Sequence, residues 1–591
     1  MPLFSRILGG GTIVAASLFL AQTAASAAPA HTLAANTVTN GGLAYKHLAA
    51  QRLKPFFVSR ATMTAVAARI RPKASPGDVA PDRSARTGHT ALEYARLKMA
   101  ALHAAATGAE ALDFTSVLAA PAESNPPAFA SDFEGLANSG VICPTFGPGG
   151  CQPPDQALAA SKTAVLQGVN SSVAVYDAHS GIMRHGWPLD FNAFLGGAPA
   201  ARVAKCDPNG PFLSDPRAFY DPNDQRFFVS IGQFDAPNFN GPKDKCANLS
   251  LIWIAVSVDA NPDDGFYVVA LDASEGGKSL ADYPRLGFDD KTVEVSTNSF
   301  NYSNFAFTTS PMFYLSKYDL ESGVATASSG IYVTYNGVPV DTMQPVETLA
   351  RPSAQPGVIY NVFSFNINFG GGSCSSGCSN VGIVALSNPL SPRPGFAGQL
   401  VSTPLYLLPP NADDEFCSTP CIETLDTRIS ATPTYNATAK GGGAISWALE
   451  TAQANATQIV PAFLWGIIDT APAGGDPIGN FAAHTRRTGY VVARGDVANS
   501  FPATMLTDSG NRLSIVADVM GNFLYPAQVA YAIDAAGRHG PALLHAGIAP
   551  DIIDSRWGDY SATSFDGSNV WVSGQYSGGS GDWATSFAKL H

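Results

Sequence analysis

Short, flatly apolar runs recur along the chain after about residue 150, each preceded by an acidic or glycine-bearing turn and none with helical spacing. FFVSI from Phe227, VEVST from Val293, LSIVAD from Leu513 and VWVSG from Val570 follow YDPNDQR, FDDKT, TDSGN and FDGSN. Asp bonds its own backbone in a tight turn and Gly accepts positive φ, so each turn and run predicts a hairpin. Runs without alternation predict strands buried on both faces, and each is expected to be the innermost strand of its unit.

The phrase that opens each unit repeats about every 65 to 70 residues, the length of four strands with generous loops. Clear copies are DPRAFYDPNDQRFFVSIGQF from Asp215, DYPRLGFDDKTVEVSTNSF from Asp282, DTRISATPTYNATAKGGGAISWALE from Asp426 and RWGDYSATSFDGSNVWVSGQY from Arg556. Weaker copies lie near Asn499 and Gln355, and a first unit starts near Asp155. The predicted fold is an all-β β-propeller of seven blades, with six as the fallback. Because the last unit, from Arg556 to His591, is short, a strand from nearer the N-terminus is expected to complete it and close the ring.

The N-terminal part differs in kind. Residues 1–27 read as a signal peptide: Arg6, an apolar stretch, and small residues at Ala25-Ser26-Ala27. Residues 28–130 form an Ala/Pro-rich leader, partly helical over Ala91–Thr107 or disordered, and residues 131–591 hold the propeller. Pro-rich connectors predict that few contacts cross the boundary near residue 130. No later apolar run is long enough to span a membrane, which predicts a secreted or periplasmic protein.

Charge narrows the partners. The net charge is −12, and the acidic excess lies in the body, which argues against nucleic acid. The eight cysteines fall into local pairs: Cys143 with Cys151, Cys206 with Cys246, Cys374 with Cys378, and Cys417 with Cys421. Export favours four disulfides; the competing expectation is a zinc site built from the last two pairs.

Chemistry concentrates where the repeats open. Asp215 with Arg217, Asp282 with Arg285, Asp426 with Arg428, and Asp559 with Arg556 place an acid and an arginine within three residues of each other in four repeats. Converging arginines would clamp an acidic ligand bidentately. The competing reading makes each pair a staple that knits blades together. Tyr283 and Tyr560 follow acids at the same level and are candidate nucleophiles, with Asp282 and Asp559 as their acid or base partners. Ser564, Asp566 and Trp571 form a degenerate Asp-box, the mark of a hairpin turn. His179, His185, His484 and His539 lack metal-ligand spacing, so no metal site and no cofactor are expected, though a structural calcium remains compatible.

The phrases PPDQALAASKTAVLQGVNSSVAVYD, DPRAFYDPNDQRFFVS, DYPRLGFDD and RWGDYSATSFDGSNVWVSGQY together resemble a family of secreted bacterial β-propeller proteins often labelled sialidase-like. The resemblance runs from Phe133 to His591 and implies the fold and export but no settled reaction. Phe227 stands where the family commonly has Trp. Gln575 stands where it has Glu, which puts activity in doubt. The expected function is binding of an extracellular glycan with hydrolysis of an acidic sugar; the alternative is a non-catalytic adhesion or scaffold protein for a surface protein or polymer.

Overall fold

The clear repeat-opening phrases lead into first strands of antiparallel sheets, with Asp215 and Asp282 inside those strands and Asp426 and Arg556 before them, and the apolar run beyond the turn folds as the second strand. Leu213–Asp221 pairs with Arg226–Asp235 from Asp221↔Arg226 outward, and Asp221 Oδ1 accepts from Asn223 N at 2.8 Å inside the turn. The computed structural model describes residues 42–69, 128–139, 142, 153–238, 243–349, 358–365, 377–414, 421–439, 443–455, 458–470, 478–479, 481–507, 512–550, 556–579 and 582–590. The expected signal peptide and the helix expected over 91–107 lie outside them.

Antiparallel sheets form a β-propeller arrangement in which first strands of neighbouring sheets pack against one another, as Ala157–Ala160 does against Leu213–Asp221 and Ala562–Phe565. The apolar runs were expected innermost. They sit one strand out instead, because the innermost strand carries the polar opening phrase. Arg226–Asp235 is still buried at every position after the first, since neighbouring sheets cover both its faces. Phe219, Phe228 and Ile254 of one sheet, for example, share a core with Leu286, Phe288 and Val293 of the next.

Five sheets of four or five strands stand apart, and the expected seven, or six, separate blades are not found. The remaining strands form one twelve-stranded sheet. It contains two antiparallel groups, one from Ser279–Phe288 to Thr326–Tyr335 and the other from Thr434–Asn436 to His484–Val491. The short strand Glu347–Thr348 pairs in parallel with a member of each and joins them.

The last sheet closes as expected: β3, Phe129–Ala137, pairs antiparallel with Trp583–Leu590. The leader departs from expectation. β1, Leu43–Leu53, pairs antiparallel with Thr326–Tyr335, and β2, Phe56–Val58, adds a fifth strand beside Phe266–Asp272. α1, Arg60–Ala67, follows, capped by Ser59 Oγ and buried through Met63. Contacts therefore cross residue 130 extensively, because β1 covers an edge that Thr326–Tyr335 would otherwise expose.

Cys206 and Cys246 form a disulfide with Cα atoms 4.7 Å apart. Cys378 and Cys421 are each disulfide-bonded, which removes both from a four-thiolate zinc site; Cys143, Cys151, Cys374 and Cys417 lie outside the described residues. No helix among the described residues is long and apolar enough to cross a membrane.

Candidate functional site

The inner strands begin with a repeated backbone irregularity. Asp155, Asp215, Tyr283, Thr342, Leu425 and Phe501, each near the start of a successive repeat, take positive φ, between 46° for Asp155 and 62° for Asp215. A non-glycine residue held there costs roughly 1–3 kcal/mol, so the surrounding packing must impose it. Register shifts follow between Ser214 and Arg217, Asp282 and Arg285, and Ser500 and Ala503. Such bulges re-aim side chains. Arg217 and Arg285 accordingly occupy the same place in two repeats, two residues beyond the bend.

Three of the four sequence-predicted arginines converge. The guanidinium carbons of Arg217, Arg285 and Arg428 lie 5.2, 5.2 and 5.1 Å from the centre of the Tyr283 ring. Arg217 also stacks 3.2 Å from the centre of the Tyr560 ring, and the two tyrosine rings meet edge to face at 5.9 Å. All five side chains are buried. Aromatic faces attract the guanidinium groups, which offsets part of their desolvation.

The arginines differ in what neutralises them. Arg428 donates to both oxygens of Asp426, with Nε to Oδ1 at 2.8 Å, and Arg556 reaches Glu423 at 3.3 Å and also Asp559. Arg428 is thus paired within its own repeat, whereas Arg556 also links to Glu423, 133 residues away. Arg285 donates only to the neutral oxygens of Ser296, Asn298 and Ser310, and Arg217 donates to the Ser430 carbonyl at 3.2 Å. Neither has a carboxylate at ion-pair distance among the described residues. Burial, joined by the like charges of Arg217 and Arg428, lowers Arg285 to about 9, so it stays cationic at neutral pH.

The tyrosines do not fit the nucleophile expected of them. Tyr283 donates its hydroxyl to the Ser430 carbonyl at 3.1 Å, and Tyr560 donates to the Pro216 carbonyl at 2.9 Å. Burial pushes Tyr283 up to about 12 and Tyr560 well above the ordinary phenol value. A nucleophile needs its proton drawn off by a base, whereas here both protons are held on carbonyl oxygens of other repeats. Asp282 and Asp559 are buried beside these tyrosines in sequence, and Asp559 is bound to Arg556.

The remaining opening acids link consecutive repeats. Asp215 N donates to Asn170 Oδ1 at 2.7 Å, Asn170 donates to Asp155 Oδ2 at 2.7 Å, and Asp559 N donates to Asp155 Oδ1 at 3.1 Å. This chain of bonds ties the last, first and second sheets. Asp566 plays the turn role read from the Asp-box: it accepts from the backbone of Ser568 and Asn569 at 2.8 and 2.7 Å and from Trp571 Nε1 at 3.0 Å. Gln575 is buried, donating to the Trp557 carbonyl at 2.9 Å.

Sequence reasoning missed Asp341 and Glu347. Asp341-Thr342-Met343-Gln344 is a degenerate copy of Asp282-Tyr283-Pro284-Arg285, with Gln in place of Arg, and the two positive-φ residues align. Burial, then the charge of Asp426, raises Asp341 to about 7. Gln344 donates to the Ser430 carbonyl at 3.2 Å, so Ser430 collects bonds from Arg217, Tyr283 and Gln344. Glu347 is buried, and desolvation, then Asp221, raises it to about 8.

Two acidic clusters bear on a metal. Asp221, Asp224 and Glu321 already surround the buried Lys317 ammonium, Asp221 buried with it and the other two partly exposed. Asp207, Asp235 and Asp244 bring one carboxylate oxygen each within 4.8 Å of one another. Desolvation, with the charges of Asp244 and Asp207, raises Asp235 to about 7, so proton uptake relieves their repulsion.

No protein-family model and no curated protein matches the chain. Among solved structures it is similar to the extracellular domains 1–2 of Drosophila semaphorin 1b, with 9% identity, 79% of this chain and 87% of that chain covered, and a TM-score of 0.33. It is also similar to a subtype N10 neuraminidase-like protein of A/little yellow-shouldered bat/Guatemala, with 10% identity, 67% and 96% covered, and a TM-score of 0.31. A third is the α-L-arabinanase of Penicillium chrysogenum, with 12% identity, 63% and 92% covered, and a TM-score of 0.30. Likeness this loose transfers no activity to this chain.

Proposed function

We propose that this protein is an exported, non-catalytic β-propeller scaffold that presents its outer surface to an extracellular glycan or surface protein. On this reading the two groups of the twelve-stranded sheet act as two blades bridged by Glu347–Thr348, which makes the ring seven-fold. One observation carries the proposal: the hydroxyls of Tyr283 and Tyr560 are spent on carbonyls of distant repeats, Ser430 and Pro216. An axial cluster used in this way holds blades together and leaves no activated nucleophile for glycoside chemistry. The cavity beside it, about 20 Å³, has room for one water and none for a sugar ring.

A second reading, hydrolysis of an acidic sugar, is favoured by the two arginines that lack a carboxylate partner. The two separate on one experiment with the intact protein and Tyr283→Phe. Acidic and neutral glycans are screened for both binding and product release. The scaffold reading expects no turnover by either protein and, where a glycan binds, equal affinity. Turnover abolished by Tyr283→Phe in a variant of unchanged fold would overturn it.

A further inference from the structure

The axis of the ring holds a small cavity that the scaffold role does not use. Its walls include Gln156, Arg217, Glu347, Thr432, Ser561 and Thr563, contributed by or adjoining first strands of several sheets. Three wall residues carry a buried polar atom with no hydrogen-bond partner: Arg217 Nε, Glu347 Oε1 and Ser561 Oγ. Those residues are 5%, 2% and 1% exposed, so bulk water does not satisfy them. Each such atom is costly to leave unpaired, by about 1–3 kcal/mol.

The charge balance gives the sign of what would fill the space. Among the described residues Arg217 has no carboxylate at ion-pair distance, and Arg285, which shares the Tyr283 ring with it, donates only to neutral oxygens. Buried guanidinium groups with no carboxylate in direct contact are unfavourable, and two close together are more so. Arg217 Nε can only donate, and the Ser561 hydroxyl can donate. Glu347, raised by its burial, holds a proton at neutral pH and can donate as well. A cation would be repelled by the guanidinium groups, and a water would satisfy the donors but bring no charge into contact with Arg217.

We propose that the axial cavity lined by Arg217, Glu347 and Ser561 is a binding site for one monatomic anion, chloride in the extracellular medium. The small volume, about 20 Å³, suits one small ion and leaves no room for a sugar ring. The anion would act as a pin at the ring's centre, counter-charge to Arg217, and the proposal stands whether or not the protein binds a glycan.

The test uses the intact protein and the halides themselves. Thermal unfolding is followed in sodium chloride, sodium bromide and sodium gluconate at equal ionic strength, and crystals grown in bromide are examined for anomalous scattering. The expected result is a saturating rise in Tm with chloride and bromide but not gluconate, as for any ligand that binds only the folded state, with a bromide peak in the cavity. Arg217→Gln should abolish the halide-specific rise. If that variant does not fold, Ser561→Ala should reduce the rise by severalfold. Equal Tm in all three salts, or a cavity holding only water in the bromide crystals, would overturn the proposal.

Discussion

Removing residues before Ser131 should unfold this protein, although the sequence alone predicts a dispensable leader. β1, β2 and α1 bury Leu43, Tyr45, Leu53, Val58 and Met63, each 6% exposed or less. At about 1.5–3 kcal/mol for each buried side chain, their removal forfeits roughly 8–15 kcal/mol, an upper estimate because unfolded chains bury some surface. That is comparable to the whole stability of an ordinary domain, about 5–15 kcal/mol. The loss also bares the edge of Thr326–Tyr335 and the cluster of Met312, Tyr314, Ile331, Val333 and Phe396 that Leu43 and Tyr45 cover. We expect the shortened chain to aggregate, and Leu43→Ala alone to cost about 2–5 kcal/mol in urea unfolding of the full chain. A chain beginning at Ser131 that stays soluble and melts within a few degrees of the full protein would refute the reasoning.

Other outcomes follow from the buried charges. Lys317→Ala leaves Asp221 and Asp224 without their cation and should destabilise by about 3–5 kcal/mol in denaturant titration, whereas Lys317→Arg should recover part of the loss. Asp235 and Asp341 are raised to about 7 and Glu347 to about 8, so the folded state holds protons that the unfolded chain gives up near pH 4. Stability is then full below pH 4 for these groups and falls as pH rises through 7 to 8; a Tm higher at pH 8 than at pH 5 would contradict it. Cys206→Ser opens a link across 40 residues and should lower stability by about 2–5 kcal/mol, read as a lower urea midpoint.

Much of the fold is legible in the sequence because hairpin chemistry is local. YDPNDQR and FDGSN place their turns without reference to anything distant, and the runs FFVSI and VWVSG announce strands covered on both faces. β1 is not legible. LAYKHLAAQRL buries only its first, third and last residues, because an edge strand meets a neighbour along one side and its pattern is set by that neighbour. The blade count is blurred by Glu347–Thr348, whose two parallel pairings no local signal encodes. In the site, three of the four repeated arginines, Arg217, Arg285 and Arg428, meet at the Tyr283 ring. Their division of labour depends on distant partners: Arg428 finds Asp426 two residues away, while Tyr283 finds Ser430 across the ring. The bends at Asp215, Tyr283 and Phe501, each before a proline, could have been suspected, since proline restricts the residue before it.

The central claim is that the axial arginines and tyrosines hold the ring together and do not turn over substrate. Its most direct test is the pair Arg285→Ala and Arg556→Ala, measured for melting temperature and for binding and hydrolysis of acidic glycans. Arg285→Ala empties a fully buried site and leaves Ser296, Asn298 and Ser310 without their donor, and Arg556→Ala removes the cation that Glu423 and Asp559 share. The account predicts that both variants melt well below the parent protein while any glycan binding retained by the folded fraction is unchanged. Variants that keep the parent melting temperature but lose glycan binding or hydrolysis would contradict it.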